Sequence, residues 1–172
     1  KRPYEMDWAG RVEDDHSPLV DFEQFAGWRV EGRDVEARFE RSREQQIWGG
    51  YVAKLTYRAT GGQPMIRLSP PAPLPVGTSF DAVSCWVYGN NWAYAQDPNT
   101  PQVQVNVLFS TQGGAVVNVP LTRVRWREWF LCHRRLTVAQ VGELEQGASF
   151  VGFQITNCTN RKDRVIFMDN LA

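Results

Sequence analysis

The chain has 172 residues, 42% of them hydrophobic and 12% aromatic, with 10 Pro and 14 Gly. That is enough for one buried core, and too apolar and too often punctuated by turn formers for a disordered segment. Its 19 basic and 19 acidic residues cancel, removing the attraction that non-specific binding to nucleic acid or to an anionic membrane needs, so neither partner is expected.

No stretch approaches the about 20 apolar residues of a membrane span, and the opening residues lack the apolar run of a secretory signal. Three cysteines, Cys85, Cys132 and Cys158, are too few and too far apart for a zinc site or a disulfide framework; at most one bridge can form. The basic residues are 16 Arg against 3 Lys. Two readings stand: planar forks for carboxylates and sugar faces, or solvated charges on strand surfaces.

Residues 1–18 are polar and aperiodic and read as a lead-in, which Tyr4 and Trp8 could pin to the domain surface. From residue 19 to 172 the apolar pattern has period two and is broken by Gly, Pro and Asn, the signature of strands. Strands are expected at 19–22, 28–31, 37–41, 52–57, 65–68, Ala82–Tyr88, 102–109, 115–120, 129–136, 150–156 and 164–168. Turns are expected at Gly61-Gly62, in the proline tract 70–75, at Gly113-Gly114 and from Asn157 to Asp163. Only Val138–Leu144 has helical spacing, about two turns of it. Many short strands with almost no helix predict an all-β fold, an antiparallel β-sandwich or jelly roll of two packed sheets, because each sheet has one apolar face to hide.

Alternation also assigns faces. With Val103, Val105 and Val107 turned to the core, Gln102, Gln104 and Asn106 share the opposite face. Likewise Val151, Phe153 and Ile155 point in, while Gln154 and Thr156 point out. Such a surface of amides and hydroxyls suits sugar hydroxyls, although any half-solvated sheet shows polar residues outward.

In order along the chain stand Val20-Asp21-Phe22-Glu23, Gly27-Trp28, Gly49-Gly50-Tyr51-Val52-Ala53-Lys54-Leu55-Thr56-Tyr57, the segment Phe80 to Asn90, Trp126 to Trp129, and Ile166-Phe167-Met168-Asp169-Asn170-Leu171. Their order and spacing resemble those of the jelly-roll carbohydrate-binding modules of bacterial polysaccharide-degrading enzymes, which share a galactose-binding-like β-sandwich fold. The resemblance runs from about Leu19 to Leu171. It implies a secreted or cell-surface module, acting as a monomer, that binds a polysaccharide or oligosaccharide and carries a linked catalytic domain toward it. It also implies paired first and last strands and a structural calcium. Glu23 and Asp169 are then the matching carboxylates, Asp21 a lesser one, and carbonyls near Gly49 and Gly50 further ligands. Calcium prefers such oxygens, though either acid could instead accept backbone N–H bonds or pair with an arginine.

Sugar sites in such modules lie on a sheet face or in edge loops and use exposed rings, which stack on the C–H face of a pyranose. Trp92 and Tyr94, among turn formers in the loop 89–100, are the first candidates. Trp86 and Tyr88 alternate with Cys85 and Val87 and are expected to face outward toward Gln104 and Asn106, with Trp48 as a further edge platform. Trp28, Trp126 and Trp129 match positions that pack in the fold. Arg125, Arg127, Arg134 and Arg135, with His133, would clamp a uronic acid or lie solvated on an outer strand.

A catalytic constellation is not found. The acids cluster in the lead-in, in 34–44 and in 143–145, not as an opposed pair on one strand. Neither His16 nor His133 has a nucleophile motif beside it. The expectation is binding without catalysis. The alternatives are a structural sandwich that supports a neighbouring domain, or a small lyase or hydrolase using His133, Arg134 and a tyrosine.

Overall fold

A computed structural model of the chain describes residues 18–77, 79–95 and 97–172. The expected lead-in, with Tyr4, Trp8 and His16, lies outside the described residues. Among the described residues eleven strands and one helix follow in order: β1 Arg29–Arg33, β2 Val35–Ser42, β3 Val52–Ala59, β4 Met65–Ser69, β5 Leu74–Val76, β6 Ala82–Tyr88, β7 Gln104–Thr111, β8 Val116–Arg123, β9 Trp129–Arg135, α1 Val138–Leu144, β10 Ala148–Thr156 and β11 Arg164–Asp169.

Two antiparallel sheets form the sandwich. One runs β1-β4-β10-β7-β8 with β5 also paired to β10; the other runs β2-β3-β11-β6-β9. Between them Leu55, Tyr57, Ile166 and Met168 of the five-stranded sheet meet Ile66, Leu68, Val105, Val107, Phe153 and Ile155 of the six-stranded one, every one of them fully buried. Sheets with one apolar face each are stable only when those faces cover one another. α1 starts on a capping box: the Gln140 N–H donates to the Thr137 hydroxyl at 3.2 Å and the Thr137 N–H to Gln140 Oε1 at 2.9 Å.

The strand at 19–22 is not formed; it reduces to a single bridge, Val20↔Leu171, which still joins the two ends of the sandwich. Phe22 there takes a φ of +58°, outside the strand region. β5 was not expected, because its residues lie inside the proline tract. Leu74, Pro75 and Val76 pair with β10 at Phe150, Ser149 and Ala148, a short outer position where a proline costs the sheet little.

Val151 is corrected as well. The β10–β7 register shifts between Phe150 and Gly152, so one extra residue is inserted. Phe150 and Phe153 both reach the core, while Val151 lines a surface depression beside Arg29 and Arg67.

Candidate functional site

The outer face of the five-stranded sheet carries the site. Alternation brings Val52, Thr56, Val165, Phe167, Asp169, Trp86, Tyr88, Trp129 and Leu131 to this face, and the register sets them in rungs: Phe167↔Tyr88↔Trp129 and Asp169↔Trp86↔Leu131. The β2–β3 connection folds over the second rung. Its Ile47 and Trp48 pack on Val52, Trp86 and Phe167, all five buried. The Trp129 indole N–H donates to the Gln45 carbonyl at 2.9 Å and holds the roof down.

Two of the expected platforms are therefore not exposed. Trp48 and Trp86 are 8% and 5% exposed, and their rings meet edge to face at 6.5 Å. Period two put Trp86 on the outward side of β6, yet outward here means beneath the roof. Tyr88 is half-buried between Trp129 and Phe167, at 5.6 and 5.8 Å. Nor do Trp86 and Tyr88 face Gln104 and Asn106. Those amides lie on the outer face of the other sheet, with the whole core between. There Gln104 donates to Asn106 at 3.1 Å, and Asn106 and Asn118 both donate to Gln154, at 3.1 and 2.9 Å. The network satisfies itself. Gln102 precedes β7 and is buried.

Past the open end of the roofed strip, residues 90–95 and 97–100 build a second wall. Asn90 donates from Nδ2 to the buried Tyr57 hydroxyl at 2.8 Å and to the Val165 carbonyl at 3.1 Å. Asp97 then organises the turn: its carboxylate accepts from the Asn99 N–H at 2.9 Å and the Thr100 hydroxyl at 2.6 Å. These bonds, the hydroxyl first, hold the Asp97 carboxyl below its ordinary value. Arg164 donates from Nε to Thr100 Oγ1 at 2.5 Å and lies 3.6 Å from Asp97.

On this scaffold Trp92 is half-buried and Tyr94 is 85% exposed. Their rings are tilted by 34° with centroids 5.8 Å apart. Trp92 lines a depression of about 360 Å³ together with Asn90, Asp97, Arg127, Arg164 and Val165, and Tyr94 stands beside Trp92 outside that lining. A neighbouring depression of about 590 Å³ reaches Glu36, Arg38, Thr56 and Arg58, and the two share Asp163. The larger one also takes in Val30 and Gly32 of β1, so it opens at the sandwich edge where β1 and β2 of the two sheets meet. Arg164 and Asp163 escaped the sequence reading because only the fold brings them beside residues 90–100. The guanidiniums here are partly matched already, Arg58 with Glu36 and Arg164 with Asp97, while Arg127 is exposed and unpaired among the described residues.

Of the other arginines, Arg135 pairs with Asp81 at 3.2 Å and Arg134 is exposed. His133 pairs across β6 with Ser84 and Arg134 with Val83, so the two side chains leave β9 on opposite faces and do not converge. Trp28 packs among Phe22, Phe25, Phe39 and Phe150, and Trp126 donates its indole N–H to the Val87 carbonyl at 3.1 Å.

No family model matches the chain, and no curated protein matches it. Solved structures do. One described as a carbohydrate-binding module of the β-sandwich superfamily superposes with a TM-score of 0.60 at 13% identity, covering 90% of this chain and 60% of that one. The family 61 module TmCBM61, solved with β-1,4-galactotriose, gives 0.54 at 17% identity, covering 91% and 97%. The family 11 module from Clostridium thermocellum, solved with a β-1,3-1,4-mixed-linked tetrasaccharide, gives 0.55 at 14% identity, covering 90% and 92%. The fold is that of the carbohydrate-binding β-sandwich modules.

Within this carbohydrate-binding-module fold, Glu23 and Asp169 stand close where the chain ends meet. Glu23 Oε1 accepts the N–H groups of Gly50 and Tyr51 at 2.9 and 3.1 Å. Asp169, fully buried, accepts those of Trp48 at 3.3 Å and Asn170 at 2.9 Å. Burial first, then the charges of Glu23 and Asp21, push the Asp169 carboxyl up to about 8. Among the described residues neither acid is paired with a lysine or arginine, and Asn170 Oδ1 is buried without a partner. Asp21 is exposed, its Oδ1 taken by the Glu23 N–H at 3.0 Å. No group of three or more His, Cys, Asp or Glu side chains among the described residues is arranged for a metal; what stands is a carboxylate pair with the unpartnered Asn170 Oδ1 next in sequence to Asp169.

Proposed function

We propose that the chain is a non-catalytic carbohydrate-binding module that grips a polysaccharide along its length and holds a linked enzyme near it. The observation that carries this reading is the ring pair Trp92–Tyr94 beside a hydrogen-bonded turn, with Trp92 lining a surface depression at the edge of the five-stranded sheet. The rings supply flat apolar surface for pyranose faces. Asp97, Arg127 and Arg164 supply donors and acceptors for hydroxyls, and two adjoining depressions favour an oligosaccharide stretch over a single ring. Tethering then raises the local concentration of substrate around a linked catalytic domain.

The same reading includes a structural calcium between Glu23 and Asp169, with Asn170 Oδ1 and loop carbonyls completing its oxygen set. When bound, it would neutralise two acids that otherwise repel in a buried place. Affinity electrophoresis across neutral and uronic polysaccharides tests the sugar assignment. Retardation by at least one polymer, abolished by free oligosaccharide, is expected; free migration in all of them would overturn it. A spacer that buttresses a neighbouring domain is the second reading, favoured by the inward packing of Trp48 and Trp86. It predicts free migration throughout.

A further inference from the structure

β6 and β9 set Cys85 directly opposite Cys132, in a register that runs without a break from Ala82↔Arg135 to Tyr88↔Trp129. Both side chains enter the inter-sheet core, where Cys85 is 0% and Cys132 3% exposed. Directly opposed residues of an antiparallel pair have Cα atoms about 4.5 or 5.5 Å apart, within the roughly 4.4–6.8 Å that a disulfide spans. Cys158 has no such partner: it follows β10 in the other sheet, and its thiol turns to the Ile155 carbonyl. As free thiols, Cys85 donates to the Asp169 and Trp86 carbonyls at 3.4 and 3.5 Å, and Cys132 to the Phe130 carbonyl at 3.7 Å. β9 is an edge strand, paired to β6 alone, so it can absorb the adjustment.

We propose that Cys85 and Cys132 form an oxidation site, closing as a cross-strand disulfide when the chain folds in an oxidising medium and leaving Cys158 as the free thiol. The chemistry is thiol–disulfide exchange with a small disulfide such as oxidised glutathione. One cysteine thiolate attacks it and releases the first glutathione thiolate; the other cysteine then attacks the mixed disulfide and releases the second. Two electrons pass from the protein sulfurs to glutathione, and the two thiol protons end on the released glutathione.

Cys85 is 0% and Cys132 3% exposed, so the folded core offers no path for a reagent. The bond therefore forms before β9 docks. Once closed, it ties the strand that carries Trp129 to β6, the strand it pairs with.

The test is to refold the full chain in a glutathione redox buffer, alkylate it in denaturant, digest it with trypsin and weigh the fragments. The expected product links segment 128–134, which holds Cys132, to segment 68–123, which holds Cys85, with Cys158 alkylated alone. Its melting midpoint should exceed that of the reduced protein by roughly 5–10 °C. Cys158→Ser should keep both the link and the gain, and Cys132→Ser should lose both. Reduced protein folded first and then given the same buffer should keep three alkylatable thiols. Three alkylated cysteines after oxidative refolding, or a link that includes Cys158, would overturn the proposal.

Discussion

Removing the Trp92 ring takes away surface that only Tyr94 leans against among the rings, whereas removing Trp86 opens a hole beneath Ile47 and Trp48. Trp92→Ala should therefore weaken polysaccharide retention about tenfold or more while leaving the melting midpoint within about 2 °C. Trp86→Ala should cost about 3–5 kcal/mol of stability through the cavity it leaves. Affinity electrophoresis and thermal unfolding, run on both variants, separate the two roles. Reversed results would mean that the rings at the depression are structural. The loop position of Trp92 was readable from sequence, and the burial of Trp86 was not. Residues 89–100 are rich in turn formers, so Trp92 could be placed in a loop and freed from the core. Alternation likewise gave the correct face for Trp86. It could not reveal that residues 43–51, distant in the chain, fold back over that face, because roofing is a tertiary event with no periodic signal.

The β10 bulge shows where element-level reasoning holds and where it breaks. The runs 52–57, 82–88 and 164–168 were legible because their β-branched and aromatic residues fill central strands buried on the core side, and α1 because its apolar spacing switches to a helical period. β10 was legible as a strand but not in its facing, since one inserted residue exchanges inside for outside. Gly152 makes the insertion possible: its φ is +145°, and a Cβ there would sit 2.2 Å from the Leu68 carbonyl oxygen. Because that contact is backbone of the neighbouring β4, it cannot give way by a rotamer change. Gly152→Ala is expected to cost more than about 2 kcal/mol and to lower the melting midpoint by roughly 5 °C or more. Thermal unfolding followed by far-ultraviolet circular dichroism reads this; a midpoint unchanged within about 2 °C would mean that the bulge relaxes freely. β5 went unseen for a related reason. Three residues bounded by prolines carry no period, and only the partner strand makes them a strand.

At the scale of the whole molecule, the first and last segments meet at Val20↔Leu171, and the acids beside that junction decide how firmly it holds. Asp169 has a carboxyl pushed from 3.8 up to about 8 in the folded state. The folded chain therefore keeps a proton that the unfolded chain gives up across that interval. It binds more protons than the unfolded state between about pH 4 and pH 8, so stability falls as pH rises through this window and levels off above it. With calcium chelated, the melting midpoint should drop between pH 5 and pH 8, reflecting a few kcal/mol at most. A divalent cation between Glu23 and Asp169 would do at pH 8 what the proton does at pH 5. Millimolar calcium should accordingly raise the midpoint at pH 8 and change it little at pH 5. Asp169→Asn, which carries no titrating charge, should flatten the pH slope and abolish the calcium response together, while Glu23→Gln should reduce the response and leave part of the slope. Calorimetry over the pH series, with and without chelator, distinguishes the cases. A slope that persists without any response to calcium would leave Asp169 a buried acid and remove the metal from the proposal; a flat profile with no calcium response would remove both.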